Sequence, residues 1–434
     1  MTASTDALRS SGPAKDGPPL HGLRINADRL WQRHMEMAEI GAIPGGGNCR
    51  LALSQEDAEA RALLARWGRE AALDLGCDRA ANMILMRKGT QERPAVAAGS
   101  HLDTQPHGGR FDGVSGVLAA LEVAETLNDA GISTRAPYAV VNFTNEEGVR
   151  FAPGLLGSAW FTGRLDDDAL SACRAADGTL FTQEAQRRGL AGPLGQGGMP
   201  LDAFFELHIE QGPILERAGC AVGIVTGVQG LRWLDVCVTG ADAHAGTTPL
   251  GDRRDALLCA ARIIVALSEI GRDGGPDARV SVGRIRTGTD GPSTVVGEAS
   301  LVVDIRHPDE ATLNALAARC AKVCGEAAIT SGCEARIHER IAIAPVSFDA
   351  TCVAHLEAAA TRLGLAHRTL TSGALHDASH LAAIVPSAMV FVPCRDGISH
   401  NVAEYAAPQD LEAGANVLLH AILARAGVAA GDGA

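Results

Sequence analysis

Aromatic residues are scarce in this chain of 434 residues: they make up 3% of it, with two tyrosines and four tryptophans. A core must then be filled by aliphatic and small side chains, and 50 glycines with abundant alanine suit helices packed tightly on a sheet. Basic charge is also short. Lys and Arg number 38 against 51 Asp and Glu, a formal net charge of −13, which argues against a nucleic-acid or anionic-membrane partner. No apolar run is long enough to span a bilayer; stretches such as Ala382 to Pro393 are too short and end in proline. Residues 1–22 are rich in Ser, Gly and Pro and lack the apolar core of a signal peptide, so they read as a loose, flexible arm. The cysteines, eleven in number, form no disulfide framework, and several (Cys237, Cys259, Cys320) fall within strand or helix patterns. Reduced thiols in a cytoplasmic protein are the expectation.

What the chain does have is size and a marked central stretch. At 46% hydrophobic it can bury a large core and build two domains. Residues 99–116 read GSHLDTQPHGGRFDGVSG. The small apolar residues 94–98 read as a buried strand, and Val114, Val117, Leu118 and Leu121 recur at helical spacing. His101 and Asp112 therefore sit on a Gly-rich loop between a strand's carboxyl end and a helix's start, where open α/β sheets place ligands. An imidazole nitrogen and a carboxylate on one loop suit a divalent metal, with Asp103 placed to hold the imidazole. The plainer reading is a Gly-rich connection in which His101 merely ends a strand, and His107 reads as solvated.

Taken in order, residues 26–41 form an amphipathic helix, and Ser54 with Asp57 makes a capping-box-like start to a helix ending near Ala72. Strands follow at 82–87 and 94–100, then a helix to Leu127 and an apolar strand at 137–144 that ends in Asn145-Glu146-Glu147-Gly148. Residues 165–200 carry no strong periodicity. A strand at 203–208 ends near His208, ahead of Glu210-Gln211. From about 224 to 340 the pattern becomes α+β, with helices at 253–270 and 310–330 on one face of an antiparallel sheet. The βα alternation resumes at 351–363 and closes with a helix at 409–424. The expected architecture is α/β: residues 23–223 and 341–434 form one large domain, interrupted by a smaller insert at 224–340.

Acidic and imidazole residues recur just after strands of the larger domain: His101, Asp112, Glu146, Glu147, His208 and His400. Each alone is more simply a loop acid or a turn histidine. Together they point one way, because parallel strand ends converge on one crevice. Two histidine–carboxylate groups sharing a bridging carboxylate would hold two metals about 3.5–4 Å apart.

These motifs resemble those of the dinuclear metallopeptidase/amidohydrolase superfamily, and within it the hydantoinase/carbamoylase family of N-carbamoyl-L-amino-acid hydrolases, allantoate amidohydrolases and β-ureidopropionases. The resemblance runs from about Gly41 onward through GSHLDTQPHGGRFDGVSGV, NEEGVRF, ELHIEQGPILE, HAGTTP, DIRHPD, HDASHLA, FVP and GISHN. It implies a central mixed sheet flanked by helices, plus an inserted lid and dimerisation domain with a four-stranded antiparallel sheet and two helices. It implies two divalent ions per subunit (Zn, Mn, Co or Ni), with His101 and His208 on one, Glu147 and His400 on the other, and Asp112 bridging. Glu146 would be the general base and Asp103 would orient His101. His244 would reach the partner subunit's active site in a homodimer and stabilise the oxyanion. Arg306 would grip the substrate carboxylate, and Gln211, Ser293, Gly373 and Ala374 would line the substrate. The implied reaction is hydrolysis of an N-carbamoyl-L-amino acid, a small molecule, to ammonia, carbon dioxide and the amino acid.

Four positions depart from the family pattern. Ser293 stands where an asparagine helps hold the carboxylate, Leu375 where glycine precedes His-Asp-Ala, Leu250 where methionine is usual, and Val402 where proline is usual. None is a ligand position. They bear on substrate identity, and leave open an allantoate-type ureide or an N-acyl amino acid. Taken without the resemblance, Arg306 reads as a salt-bridge partner of Asp304 or Asp309, His244 as a turn residue and Gln211 as a loop amide. A non-catalytic binding protein that keeps this fold is a further alternative, against which Glu146 beside an intact ligand set argues.

Overall fold

The computed structural model describes residues 22–429, so the expected N-terminal arm lies outside the described residues, Gly22 apart. Contacts divide the chain into two compact units. The first comprises the chain up to Val222, Ala354–His367 and the chain from Val390 on. It opens with α1 (Ala27–Glu39) and α2 (Gln55–Glu70). At α2 the Ser54 cap forms, its side chain accepting from the Asp57 amide, but the box does not close on Ser54: the Asp57 carboxylate accepts from the Leu53 amide one residue earlier. Asp57 also pairs with Arg61 one turn on, both of them buried.

The sheet of this unit contains β1 (Asp74–Cys77), β2 (Met83–Arg87), β3 (Ala95–His101), β4 (Tyr138–Phe143) and β5 (Leu201–Ile209). Their order is β5-β3-β4-β2-β1; β3 runs parallel to both β4 and β5, and the β4–β2 and β2–β1 pairs are antiparallel. Every residue of β3 and β4 is buried, as strands covered on both faces require. α3 (Val114–Asp129) packs on β3 and buries its first 14 residues, which explains a sequence apolar nearly all round. Because β3, β4 and β5 are parallel, the loops after all three leave the sheet at one end. The supposedly featureless 165–200 stretch holds two short helices, Asp167–Ala172 and Phe181–Arg187, whose Leu170 and Phe181 pack with Phe151 and Trp160. Six- and seven-residue helices are too short to register a period.

The second unit spans Gly223–Val353 and Arg368–Met389. Its strands β6 (Gly230–Thr239), β8 (Arg279–Thr287), β10 (Glu298–His307) and β11 (Glu334–Ile343) form an antiparallel sheet in the order β8-β10-β6-β11. Helices α4 (Ala256–Asp273) and α5 (Glu310–Thr330) cover one face, and Leu234, Val236, Val303, Ile305, Ile263 and Leu313 fill the core between. A two-stranded ribbon pairs β7 (Ala243–His244) with β9 (Thr294–Val295). Residues 341–353 and 368–389, expected with the larger domain, group here instead. The reason is local pairing: Val346 and Ser347, and the strand His367–Ser372, flank the strand Val222–Val228.

Candidate active site

His101 is the last residue of β3, Glu146 and Glu147 come after Thr144 and Asn145 beyond the end of β4, and His208 is the penultimate residue of β5. Asp112 stands two residues before α3, and His400 lies on the loop ahead of the C-terminal helix Pro408–Ala426. The loops bring all six together. The Asp112 Oδ1 atom lies 3.0 Å from His208 Nε2 and 3.7 Å from His101 Nε2. Its Oδ2 lies 3.3 Å from His400 Nε2, which is itself 3.4 Å from Glu147 Oε2. One carboxylate thus joins two donor triplets, His101–Asp112–His208 and Asp112–Glu147–His400, with the donor atoms of each triplet within 4.8 Å of one another. Glu146 Oε2 sits 3.6 Å from His101 Nε2, beside the first triplet. His107 is exposed, as expected.

The backbone is bent to make this possible. Asn145, Gln211 and His400 all adopt left-handed φ values of 60, 57 and 54°, a conformation held only where surroundings over-determine it. Gly113, with φ of 65°, is required: a Cβ there would run into the His101 ring. The imidazoles are aimed from behind. Nδ1 of His101 meets the Asp103 carbonyl at 2.9 Å, and Nδ1 of His208 meets the Ile209 carbonyl at 2.9 Å. A carbonyl can only accept, so each Nδ1 carries hydrogen and each Nε2 faces Asp112. Asp103 meets His101 as expected, but through its backbone. Its backbone oxygen, not its carboxylate, steers His101; the carboxylate accepts from the Glu146 and Glu147 amides, at 3.2 Å each.

Electrostatics show a cluster with more like charge than it can settle alone. Burial opposes ionisation of Asp112, but His208, His400 and His101 together hold it well below the usual carboxylate range. Burial and the Asp112 charge push Glu147 up to about 8. Burial drives His101 down to about 4, leaving it neutral. For His208 burial works the same way and is outweighed by Asp112, which lifts it to about 9. His400, hydrogen-bonded to Asp112, also rises to about 9. Gln211 donates to Asp112 Oδ2 at 2.8 Å, and its Oε1 is buried without a hydrogen-bond partner. Three imidazoles, two shared or adjacent carboxylates and an orphaned amide oxygen fit borderline divalent cations.

Three supporting residues carry no signal in the sequence. Gln105 donates to Glu147 Oε2 at 2.7 Å, Ser399 contacts Asp112 at 2.8 Å, and the buried Glu404 accepts from the Phe111 and Asp112 amides. Ser399 and Glu404 flank His400 within a polar loop, where only the contacts distinguish them from solvated residues.

In the second unit, Ser293 and His244 are brought together by the β7–β9 ribbon: the Ser293 carbonyl accepts from the Ala245 amide at 2.7 Å. His244 is exposed, and its Nδ1 accepts from the Gly246 and Thr247 amides at 3.0 and 3.2 Å. With Nδ1 accepting, Nε2 is the ring nitrogen left to donate. Arg306 pairs with Asp304 through Nε and Nη2, both at 2.9 Å, and not with Asp309, which caps α5. Trp233 Nε1 steadies the same Asp304 carboxylate at 2.8 Å. A guanidinium has two edges. Asp304 occupies one, and the Nη1–Nη2 edge stays available, with a single contact from Nη1 to the exposed Gly373 carbonyl at 2.7 Å. Ala374 donates to Ser372 Oγ at 3.1 Å, and the neighbouring Leu375 is half-buried.

Comparison with known proteins agrees with this arrangement. Residues 97–424 match the family described as Peptidase family M20/M25/M40. An N-carbamoyl-L-amino-acid amidohydrolase of Rhizobium meliloti is 42% identical over 410 residues, covering 93% of this chain and 98% of that protein. One from Geobacillus stearothermophilus is 39% identical over 407 residues, covering 92% and 98%. The crystal structure of a hydantoinase/carbamoylase family amidase from Burkholderia multivorans superposes with a TM-score of 0.91 at 46% identity, covering 93% of this chain and 98% of that one. Fold, donor set and relatives agree, and the chain belongs to peptidase family M20/M25/M40, in its hydantoinase/carbamoylase branch, as a hydrolase of amide or ureide bonds.

Proposed function

We propose that the chain hydrolyses the carbamoyl C–N bond of an N-carbamoyl-L-amino acid, yielding ammonia, carbon dioxide and the free amino acid. The observation that carries this reading is the pair of donor triplets sharing Asp112, with the Glu146 carboxylate beside them. The relatives' activities support the substrate class. Two divalent ions per subunit, Zn, Mn, Co or Ni, held by His101, Asp112 and His208 and by Asp112, Glu147 and His400, would polarise the scissile carbonyl and acidify a water. Glu146 accepts the proton of that water on its carboxylate and returns it to the departing nitrogen. Asp103 holds the two glutamate amides and so fixes where Glu146 and Glu147 point. His244, with hydrogen on Nε2, donates to the oxyanion as it develops. The open edge of Arg306 takes the substrate carboxylate, with Ser293, Gln211, Gly373 and Ala374 lining the substrate.

A homodimer through the second unit (residues 224–340, the lid and dimerisation domain of this reading) is supported by its surface. α4 exposes Leu257, Leu258 and Val265, the last 59% exposed, and Ile285 on the edge strand β8 is 44% exposed. Light scattering at assay concentration is expected to give twice the chain mass; a monomer with full activity would remove this part. A cytoplasmic setting is supported by eleven cysteines none of which forms a disulfide, and no helix among the described residues is long and apolar enough to cross a membrane.

The test is an ammonia-release screen across N-carbamoyl amino acids, allantoate and N-acyl amino acids, with metals stripped by chelator and added back. Turnover is expected only with metal and highest kcat/KM on a carbamoyl amino acid. Full activity of metal-free protein would refute the reading. Preference for allantoate or an acyl amino acid would select the alternative that Ser293 and the bulky Leu375 leave open.

A further inference from the structure

The two loops that carry Asp112 and His400 are joined behind the site by a second carboxylate. Glu404 is 4% exposed. Its Oε1 accepts from the Phe111 amide at 2.9 Å and the Asp112 amide at 3.1 Å. Its Oε2 lies 3.1 Å from Ser399 Oγ, which is 2.8 Å from Asp112 Oδ2. The connection is therefore closed: Glu404 holds the backbone of Asp112, and Ser399, next to His400, holds its side chain. Gly109 is part of the fit, because a Cβ there would collide with the Glu404 carboxylate.

A buried carboxylate placed within one residue's reach of another is electrostatically unfavourable, so its presence needs a compensating role. We propose that Glu404, acting with Ser399, is a positioning residue for the shared carboxylate, setting Asp112 Oδ2 toward His400 and Glu147 and so tuning the second of the two cation sites. The inference rests on the two-ion reading above. Outer groups that orient ligands typically alter metal affinity by about 10–100-fold. The asymmetry is specific: Ser399 reaches Oδ2, the oxygen facing His400, while Oδ1 faces His208 and His101. Loss of Glu404 should therefore weaken the second binding step and largely spare the first.

Cobalt(II) titration of chelator-stripped protein, followed by visible absorbance and by competition with a chelator of known affinity, tests this. Wild type is expected to take up two ions. Glu404→Ala should keep the first step and lose about 10–100-fold in the second. Glu404→Gln should recover most of that loss, since its amide oxygen can still accept from both backbone N–H groups and its nitrogen can meet Ser399. A folded Glu404→Ala protein with an unchanged second step overturns the proposal, as does failure of glutamine to rescue. If Glu404→Ala does not fold, Ser399→Ala decides: an unchanged second step overturns it. Wild type that takes up no divalent ion would instead refute the two-ion reading, and this inference with it.

Discussion

Replacing Asp103 with alanine separates the two contacts that this residue makes at the site. The side chain accepts from the Glu146 and Glu147 amides, each at 3.2 Å, directly after Asn145 in its left-handed turn. The Asp103 carbonyl, which the substitution preserves, is what meets His101 Nδ1. A hydrogen bond to a charged acceptor is worth roughly 1.5–3 kcal/mol, and 3.2 Å is long, so two at the lower end give about 3 kcal/mol. Since about 1.4 kcal/mol is a factor of ten, the full loss at the level of catalysis is about 100-fold in kcat/KM. Asparagine at 103 keeps one good acceptor and should lose about tenfold. The assay pairs kinetics with an NMR measurement of the His101 ring N–H, expected to remain hydrogen-bonded in both variants. If the His101 signal collapses, the carboxylate serves the imidazole after all; if kcat/KM stays within a factor of about two, the hold on the two glutamate amides does not matter; either result refutes the reasoning.

The remaining predictions concern charge and packing. His34 is fully buried between the Leu30 carbonyl at 2.9 Å and Ser115 Oγ at 3.2 Å, and burial lowers its pKa from 6.5 to about 4. Its folded pKa lies below its unfolded one, so the contribution is complete above about pH 6.5 and lost as pH falls toward 4, about 3 kcal/mol in all; His34→Asn should flatten that acid limb in urea unfolding. Asp57→Ala strands the buried Arg61 guanidinium and should cost about 3–5 kcal/mol by the same assay; a loss below about 1 kcal/mol would count against it. Arg306→Ala should raise KM for a carbamoyl amino acid by about 10–100-fold and leave its carboxamide analogue nearly unaffected, whereas equal effects on both would mean that the Asp304 pair is all Arg306 provides.

How much of this was legible beforehand depended on what each residue does. His101, Asp112, Glu146, Glu147, His208 and His400 could be assembled from the sequence because strand ends are readable and parallel strands put them on one side. The helix at Glu310–Thr330 was placed to the residue, since its 21 positions sustain a period and Asp309 caps it. The helices at 167–172 and 181–187 were missed because a turn or two leaves no periodicity. For Asp103 the sequence does not tell which atom acts: the group that meets His101 is a backbone carbonyl, while the carboxylate takes the Glu146 and Glu147 amides. Glu404, Ser399 and Gln105 escaped because a supporting residue is defined only by what it touches.

Backbone strain separates what the site requires from what the fold merely tolerates. Ala72, Asn145, Gln211 and His400 all hold left-handed φ, at 56, 60, 57 and 54°. For a residue with a Cβ this costs roughly 1–2 kcal/mol, against about 0.5–1 kcal/mol for the extra unfolded-state freedom of glycine. Ala72 is exposed and follows the end of α2, so Ala72→Gly loses no packing and should stabilise by about 0.5–1 kcal/mol with activity unchanged. Gln211→Gly relieves the same strain but removes the donor to Asp112 and Ser399. It should be as stable as wild type or more so, while kcat/KM falls by about tenfold or more for the lost charge-assisted bond. If instead Gln211→Gly keeps activity, the turn is strained for chain geometry alone and the side chain is incidental. If Ala72→Gly destabilises, left-handed strain is not what these positions have in common, and the argument linking strain to the site loses its reference.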